Sequence, residues 1–185
     1  PKGEDVPEGG IVLRAGTVIG AKHIAVLASV GRHEVPAAPL PRVGLLSTGD
    51  EVVEAHETPK PYQIRNSNAP QTIVQLQDLG IEPTYYGIVP DDAEALKNML
   101  RKAKDENDLI LMSGGVSMGD FDLAPEAMAE NGFTVQYDRV AVKPGRPTTF
   151  AVSASADLFA LPGNPVSCFV IMEKLVKPNL YRPMG

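Results

Sequence analysis

The sequence predicts an α/β protein built on a mostly parallel sheet with helices covering both faces. Three observations carry that expectation. From Arg42 onward, short apolar runs alternate with segments whose apolar residues recur at helical spacing. Leu109 to Met112 is an unbroken apolar run bounded by polar residues, the habit of a central parallel strand buried on both faces. The connections are short, which favours right-handed crossovers and parallel pairing.

Before Arg42 the chain is different in kind. Pro1 to Gly20 is Gly-rich and polar, and the alternation of Ile11 and Leu13 suggests short extended structure. Lys22 to Ser29 is a short helix candidate, with Ile24, Leu27 and Ala28 at helical spacing and Gly31 ending it. Pro36, Pro39 and Pro41 make a stiff connector. Residues 1–41 are therefore expected to be a lead-in, and residues 42–182 the main domain.

Within that domain, Val43 to Ser47 is an apolar strand that breaks at Thr48-Gly-Asp-Glu51. A long polar loop runs from about Glu54 to Arg65, unusual in a compact domain. Asn66, Ser67 and Asn68 offer N-caps for a helix carrying Ile73, Leu76 and Leu79, closed by Gly80. Thr84 to Val89 is the next strand, and Pro90-Asp91-Asp92 turns it into a helix bearing Leu96, Met99, Leu100 and Ala103. Asp91 or Asp92 would cap that helix, with Glu94 completing a capping-box-like arrangement. The buried run 109–112 then breaks into Gly114, Gly115 and Gly119, interleaved with Ser113 and Ser117, before Asp120 and Asp122. A helix from about Leu123 to Asn131 follows, for which Asp122 is a candidate N-cap. Phe133 to Val142 and Thr148 to Val152 look like longer strands, and Leu158 to Leu161 like a short one. Pro162-Gly-Asn164 leads into a last helix, Val166 to Val176, capped by Asn164 with Pro165 in its first turn.

In parallel sheets ligands bind beyond the carboxyl ends of the strands, and four peculiar loops occupy that position: 48–51, 90–92, 113–122 and 162–167. Glycines let a backbone approach a ligand closely, and successive free N–H groups cradle an anion. Glu51, Asp91, Asp92, Asp120 and Asp122 would crowd acids beside those cradles, an arrangement suited to magnesium and a phosphorylated ligand. The basic complement is Arg139, Lys143 and Arg146. The first two are four apart in the expected strand and so share a face, and Lys143-Pro-Gly-Arg146 turns sharply. The last helix offers free N–H groups as a further anion site. His23, His33 and His56 lie outside the four loops, leaving Ser113 and Ser117 without a base.

The totals bound the rest. At 185 residues and 43% hydrophobic content, the chain has room for one good-sized core and an appendage. A net charge of −6 without a basic stretch argues against nucleic acid as a partner. One cysteine, Cys168, rules out an internal disulfide and reads as a small buried hydrophobe among Val166, Phe169, Val170 and Ile171. No apolar run approaches a membrane span and no signal peptide opens the chain, so a cytoplasmic protein is expected.

Four motifs in order, Ser47-Thr-Gly-Asp-Glu51, Ser113-Gly-Gly-Val-Ser-Met-Gly-Asp-Phe-Asp122, Lys143-Pro-Gly145 and Leu161-Pro-Gly-Asn-Pro-Val-Ser167, closely resemble the molybdopterin molybdenumtransferases, the MoeA and gephyrin E-domain family. The resemblance runs from about Gly9 to the C-terminus. It implies a three-layer α/β/α fold of the MogA/MoaB type. It also implies insertion of molybdate into adenylylated molybdopterin, with Mg2+ and release of AMP. By position, it implies Glu51, Asp91 and Asp122 as metal-holding and catalytic acids, with Arg139 and Lys143 as catalytic cations; relatives often carry lysine where Arg139 stands. Thr48, Gly49, Asp50, Ser113, Gly114, Gly115, Ser117, Gly119, Arg146, Pro162, Gly163 and Asn164 are the residues it implies around the ligand. The family further implies a homodimer, an upstream molybdopterin adenylyltransferase, and extra domains before Pro1 and after Gly185. Two other readings stay open at this point: a MogA-like adenylyltransferase, whose glycine loop usually reads Thr-Gly-Gly-Thr-Gly, and a scaffold domain like that of gephyrin.

Overall fold

The structure, a computed structural model, describes residues 5–114 and 123–184, the side chains of 182–184 excepted. A short helix, α1 (Ala21–Ser29), precedes the main domain. Residues 5–20 form two successive turns, closed by Gly10 N–H to Pro7 O and Thr17 N–H to Arg14 O, rather than the expected extended segment. Of α1 only Leu27 is buried, while Ile11, Val18 and Ile24 stay exposed.

The main domain runs β1 (Val43–Thr48), β2 (Val52–Val53), β3 (Ile64–Arg65), α2 (Asn68–Gln77), β4 (Thr84–Val89), α3 (Ala93–Glu106), β5 (Leu109–Ser113), α4 (Ala124–Glu130), β6 (Thr134–Arg139), β7 (Pro147–Val152), β8 (Asp157–Leu161) and α5 (Pro165–Ile171). A π-helical stretch, Met172–Val176, joins α5 to α6 (Lys177–Met184), so the last helical region runs beyond its expected end at Val176. The six-stranded sheet has the order β4-β1-β5-β8-β7-β6, with β4, β1, β5 and β8 parallel and β7 antiparallel to both its neighbours.

Alternation along the central strands divides the core between two faces. Leu46, Ile110, Met112, Leu158 and Ala160 pack against α3 and α4 through Leu96, Leu100, Ala103, Ala127 and Met128. Val43, Leu45, Leu109, Leu111, Phe159 and Leu161 pack against α2 and α5 through Ala69, Leu76, Cys168 and Ile171, and onward to Leu180 of α6. The result is three layers, as expected. Burial in this second cluster pushes the Cys168 thiol up to about 11, which makes it inert as a nucleophile. Among the described residues, no helix is long and apolar enough to cross a membrane.

Two elements differ from expectation for identifiable reasons. The 54–65 loop is closed at its base because Ile64 and Arg65 pair in parallel with Val52 and Val53. The strand expected over 133–142 stops at Arg139, where the register with β7 has already slipped and the backbone turns into a cis Lys143–Pro144 bond. Lys143 therefore lies in the turn, and no strand pleat relates it to Arg139.

Gly44 shows how tightly the β1 end of this sheet is packed. A Cβ there would sit 2.8 Å from Asn107 Nδ2 and 3.0 Å from the Tyr86 ring. Asn107 Nδ2 is committed to Tyr86 Oη at 2.7 Å and to Ala103 O at 2.8 Å, so it has little room to yield. Gly44→Ala is expected to lose about 1–3 kcal/mol in urea denaturation, as overpacked cores do; a loss below about 0.5 kcal/mol would show that this corner relaxes freely.

Candidate functional site

β1 and β5 are neighbours, yet the helices that follow them leave to opposite faces: α2 packs with the Leu45 face and α4 with the Leu46 face. Such a divergence is a topological switch point, where a crevice opens between the carboxyl ends of adjacent strands. Here Ser47 of β1 pairs with Ser113 of β5, and a cavity of about 60 Å³ lies beyond them, lined among others by Thr48, Glu51, Asn66, Asn68, Gly114 and Gly163. A far larger cavity, about 650 Å³, lies at the opposite rim between Pro39–Pro41, Ser153–Asp157 and Leu180. We take the smaller one as the site because the strand-end loops converge there.

The backbone at the crevice is shaped for close approach. Gly114 has φ +93°, and any side chain on it would collide with the Thr48 carbonyl. Gly49 is likewise left-handed at φ +126°, and the Glu51 carboxylate folds over it, 2.7 Å from where a Cβ would stand.

Two asparagines that sequence reasoning read only as helix caps hold this geometry. Asn66 does cap α2, accepting from Ala69 N–H at 3.1 Å. Its Nδ2 also donates to Ser47 Oγ at 3.0 Å and to Tyr85 Oη at 2.9 Å. Tyr85 in turn donates to Glu54 at 2.7 Å, tying the 54–65 loop to β1 and β4. Burial first, and Glu54 second, raise the Tyr85 hydroxyl well above its ordinary pKa, so it stays a neutral donor. Asn68 makes no cap. Its Nδ2 reaches Ser113 Oγ at 2.8 Å and the carbonyls of Gly163 at 2.9 Å and Pro162 at 3.4 Å, joining α2 to the loops after β5 and β8. The signal for this role is a surplus: a helix start needs one cap, and residues 66–68 offer three.

On the β4 side of the crevice, Asp50 and Asp91 are locked reciprocally. Asp50 Oδ1 accepts from Asp91 N–H at 3.1 Å, and Asp91 Oδ2 accepts from Asp50 N–H at 3.3 Å. Charged acceptors on backbone donors hold two like charges side by side. Asp92 is the cap of α3, accepting from Ala95 N–H at 2.8 Å, while Glu94 pairs with Lys97 instead of completing a capping box. Each locked carboxylate has a further oxygen beyond the one so used. Among the described residues no group of three or more potential metal ligands comes together. Asp122, with Gly115, Ser117, Gly119 and Asp120, lies outside the described residues.

The basic residues sit on the other flank. Because β6 runs parallel to β8, the 140–146 turn opens on the same rim as the four loops. Gly145 (φ +115°) fits against Ile171 and Ser167 of α5 so closely that a Cβ would lie 2.7 Å from Ile171 Cγ1, which fixes the turn beside that helix. β6 and β4 are the two edge strands of the sheet, with the 140–146 turn following one and Asp91 following the other. The rim is shared.

The expected anion site at the start of α5 is not free. Val166 and Ser167 N–H donate to Asn164 Oδ1 at 3.0 and 3.2 Å, Cys168 N–H donates to Asn164 O at 2.9 Å, and Pro165 has no N–H. The cap that marks the helix in the sequence also consumes its donors.

Comparison with known proteins agrees with this architecture. A family described as "Probable molybdopterin binding domain" matches residues 44–182. The chain is 38% identical over 184 residues to a molybdopterin molybdenumtransferase of Staphylococcus epidermidis, covering all of this chain and 44% of that protein. The structure of the molybdopterin biosynthesis moeA protein from Pyrococcus horikoshii superposes with a TM-score of 0.79 at 32% identity, over 98% of this chain and 45% of that one. A molybdenum cofactor biosynthesis protein B, at 18% identity and TM-score 0.61 over 80% of this chain and 96% of that one, shares the fold. The chain thus spans less than half the length of the larger relatives.

If the Asp50–Asp91 exchange holds the two loops together, its members are energetically coupled. A double-mutant cycle with Asp50→Ala and Asp91→Ala is expected to give an interaction of about 0.5–2 kcal/mol in urea unfolding. Strict additivity would dissolve the pair.

Proposed function

The chain belongs to the family of molybdopterin-binding domains, and on that premise we propose that the protein inserts molybdate into adenylylated molybdopterin with release of AMP. The observation that carries this reading is the polar crevice at the strand ends, where Thr48, Glu51, Asn68, Gly114 and Gly163 come together beside the Asp50–Asp91 exchange. Acids, left-handed glycines and side-chain amides around one crevice, on the rim onto which the 140–146 turn also opens, suit a phosphoanhydride-linked ligand.

In this reading the crevice receives the middle of the ligand, and the loops after β1, β4 and β5 orient its phosphates. Lys143, with Arg139 and Arg146, offsets the charge that develops on phosphate oxygens as the phosphoanhydride breaks and the AMP phosphate takes an oxygen from water or molybdate. Lysine serves as a point charge there and arginine as a fork. Magnesium is the cation this reading expects, since the ion needs only one or two carboxylates together with ligand phosphates. Glu51 and Asp91, with Asp122, would hold it, and it supplies charge neutralisation on the phosphate oxygens. Thr48, Gly49, Ser113, Gly114 and Gly163 form the walls against which the ligand lies. The same reading makes the intact protein a cytoplasmic homodimer fed by a molybdopterin adenylyltransferase.

The test is molybdate-dependent release of AMP from adenylylated molybdopterin by the intact protein. Lys143→Ala and Asp122→Ala are each expected to slow it about 10²–10³-fold, the scale of losing one charge-stabilising group, with circular dichroism unchanged. Unchanged rates would remove those roles, and formation of adenylylated molybdopterin from ATP would replace the proposed reaction by the sister one.

A further inference from the structure

The loop that carries Glu51 is anchored at both ends to one hydroxyl. Residues 48–53 follow Ser47 at the end of β1 and run into Glu54. At the first end, Asn66 Nδ2 donates to Ser47 Oγ at 3.0 Å and to Tyr85 Oη at 2.9 Å. At the second, Tyr85 Oη donates to Glu54 Oε1 at 2.7 Å, a short bond onto a carboxylate. The Asn66 amide also accepts from Ala69 N–H, so its oxygen and its nitrogen are both committed and the joint has one orientation. The Tyr85 ring packs against the core cluster beneath α2, which makes its hydroxyl a fixed point. Between the two ends, Ile64 N–H donates to Glu51 O at 2.7 Å and Asn66 N–H to Val53 O at 2.8 Å. Among the described residues no hydrogen bond or ion pair holds the Glu51 carboxylate, so the backbone of its loop places it over Gly49.

We propose that Tyr85 is the positioning residue for Glu51: its hydroxyl holds both ends of the 48–53 loop and so fixes where that carboxylate stands at the rim. The inference rests on the reading under Proposed function, in which Glu51 works at the phosphoanhydride, and adds a residue that acts through it. Tyr85 is not part of the crevice wall, whereas Ser47, Glu51 and Asn66 are. Its effect on the site therefore passes through the loop rather than through the ligand. A short loop pinned at one end keeps torsional freedom enough to swing a carboxylate by ångströms, and a misplacement of about 1 Å costs on the order of 10²-fold in rate. The clamp depends on an acceptor at position 54: glutamine keeps an oxygen there for the Tyr85 hydroxyl, and alanine removes it. Phenylalanine at position 85 keeps the packed ring and deletes only the hydroxyl.

Backbone 15N relaxation and AMP release from adenylylated molybdopterin, both on the intact protein, test this with Tyr85→Phe, Glu54→Ala and Glu54→Gln. In the first two variants the order parameters of the amides of residues 49–53 are expected to fall from about 0.85 toward about 0.6, and in Glu54→Gln to stay near the wild-type value. In the same two variants kcat is expected to drop about tenfold with KM within about twofold, as when an interaction made only in the transition state is lost. The Tyr85→Phe loss is expected to vanish in a Glu51→Ala background, because Tyr85 acts through that carboxylate. Order parameters that stay rigid in Tyr85→Phe would overturn the clamp. A loosened loop with unchanged kcat, or a Tyr85→Phe loss of full size in the Glu51→Ala background, would overturn the assignment to Glu51. Wild-type protein that releases no AMP would overturn the proposed function, and the relaxation measurement then still decides the clamp.

Discussion

The divergence of α2 and α4 to opposite faces after the neighbouring strands β1 and β5 is the constraint on which this molecule depends. Paired in register from Val43–Leu109 to Ser47–Ser113, the two strands are covered on both faces until they end. Beyond that point the helices that follow, α2 and α4, pack on opposite faces, and a crevice opens between the strand ends. Ser47, Thr48, Ser113 and Asn68 are thus buried polar residues at a place where the packing itself creates a crevice.

Buried polar groups are tolerated only when paired, and the pairing is what gives the rim its rigidity. Asn66 and Asn68 do this from the first turn of α2. One ties β1 to Tyr85 and the Glu54 loop, the other ties the ends of β5 and β8 to the same helix. The Asp50–Asp91 exchange adds a third tie between the loops after β1 and β4. Charges and glycine loops mark the rim in the sequence, yet neutral amides hold most of it in place.

Much of the architecture was legible beforehand because it follows from local rules. The strands Thr84–Val89 and Leu109–Ser113 and the helix Ala93–Glu106 are written in apolar periodicity, and Asn164 and Asp92 sit as caps where the spacing puts them. The errors arose where one local rule hid another. Asn164 and Pro165 signal a helix start, but the same side chain takes the N–H groups that an anion would have used. A two-residue period put Lys143 on the face of Arg139, whereas the strand had already ended at a slipped register and a cis proline.

By itself the sequence determined the layer order, the parallel sense of β1, β4, β5 and β8, and hence that loops after those strands share one rim, because handed crossovers and two-faced burial leave few other arrangements. Only the tertiary structure decided which of those loops meet. Strand order put Asp50 and Asp91 on adjoining loops, and side-chain hydrogen bonds brought Asn68 to Ser113 and Gly163. Strand order and side-chain hydrogen bonding join residues up to 98 positions apart, as from Gln75 to Glu173, and no periodicity in a single chain encodes such a distance.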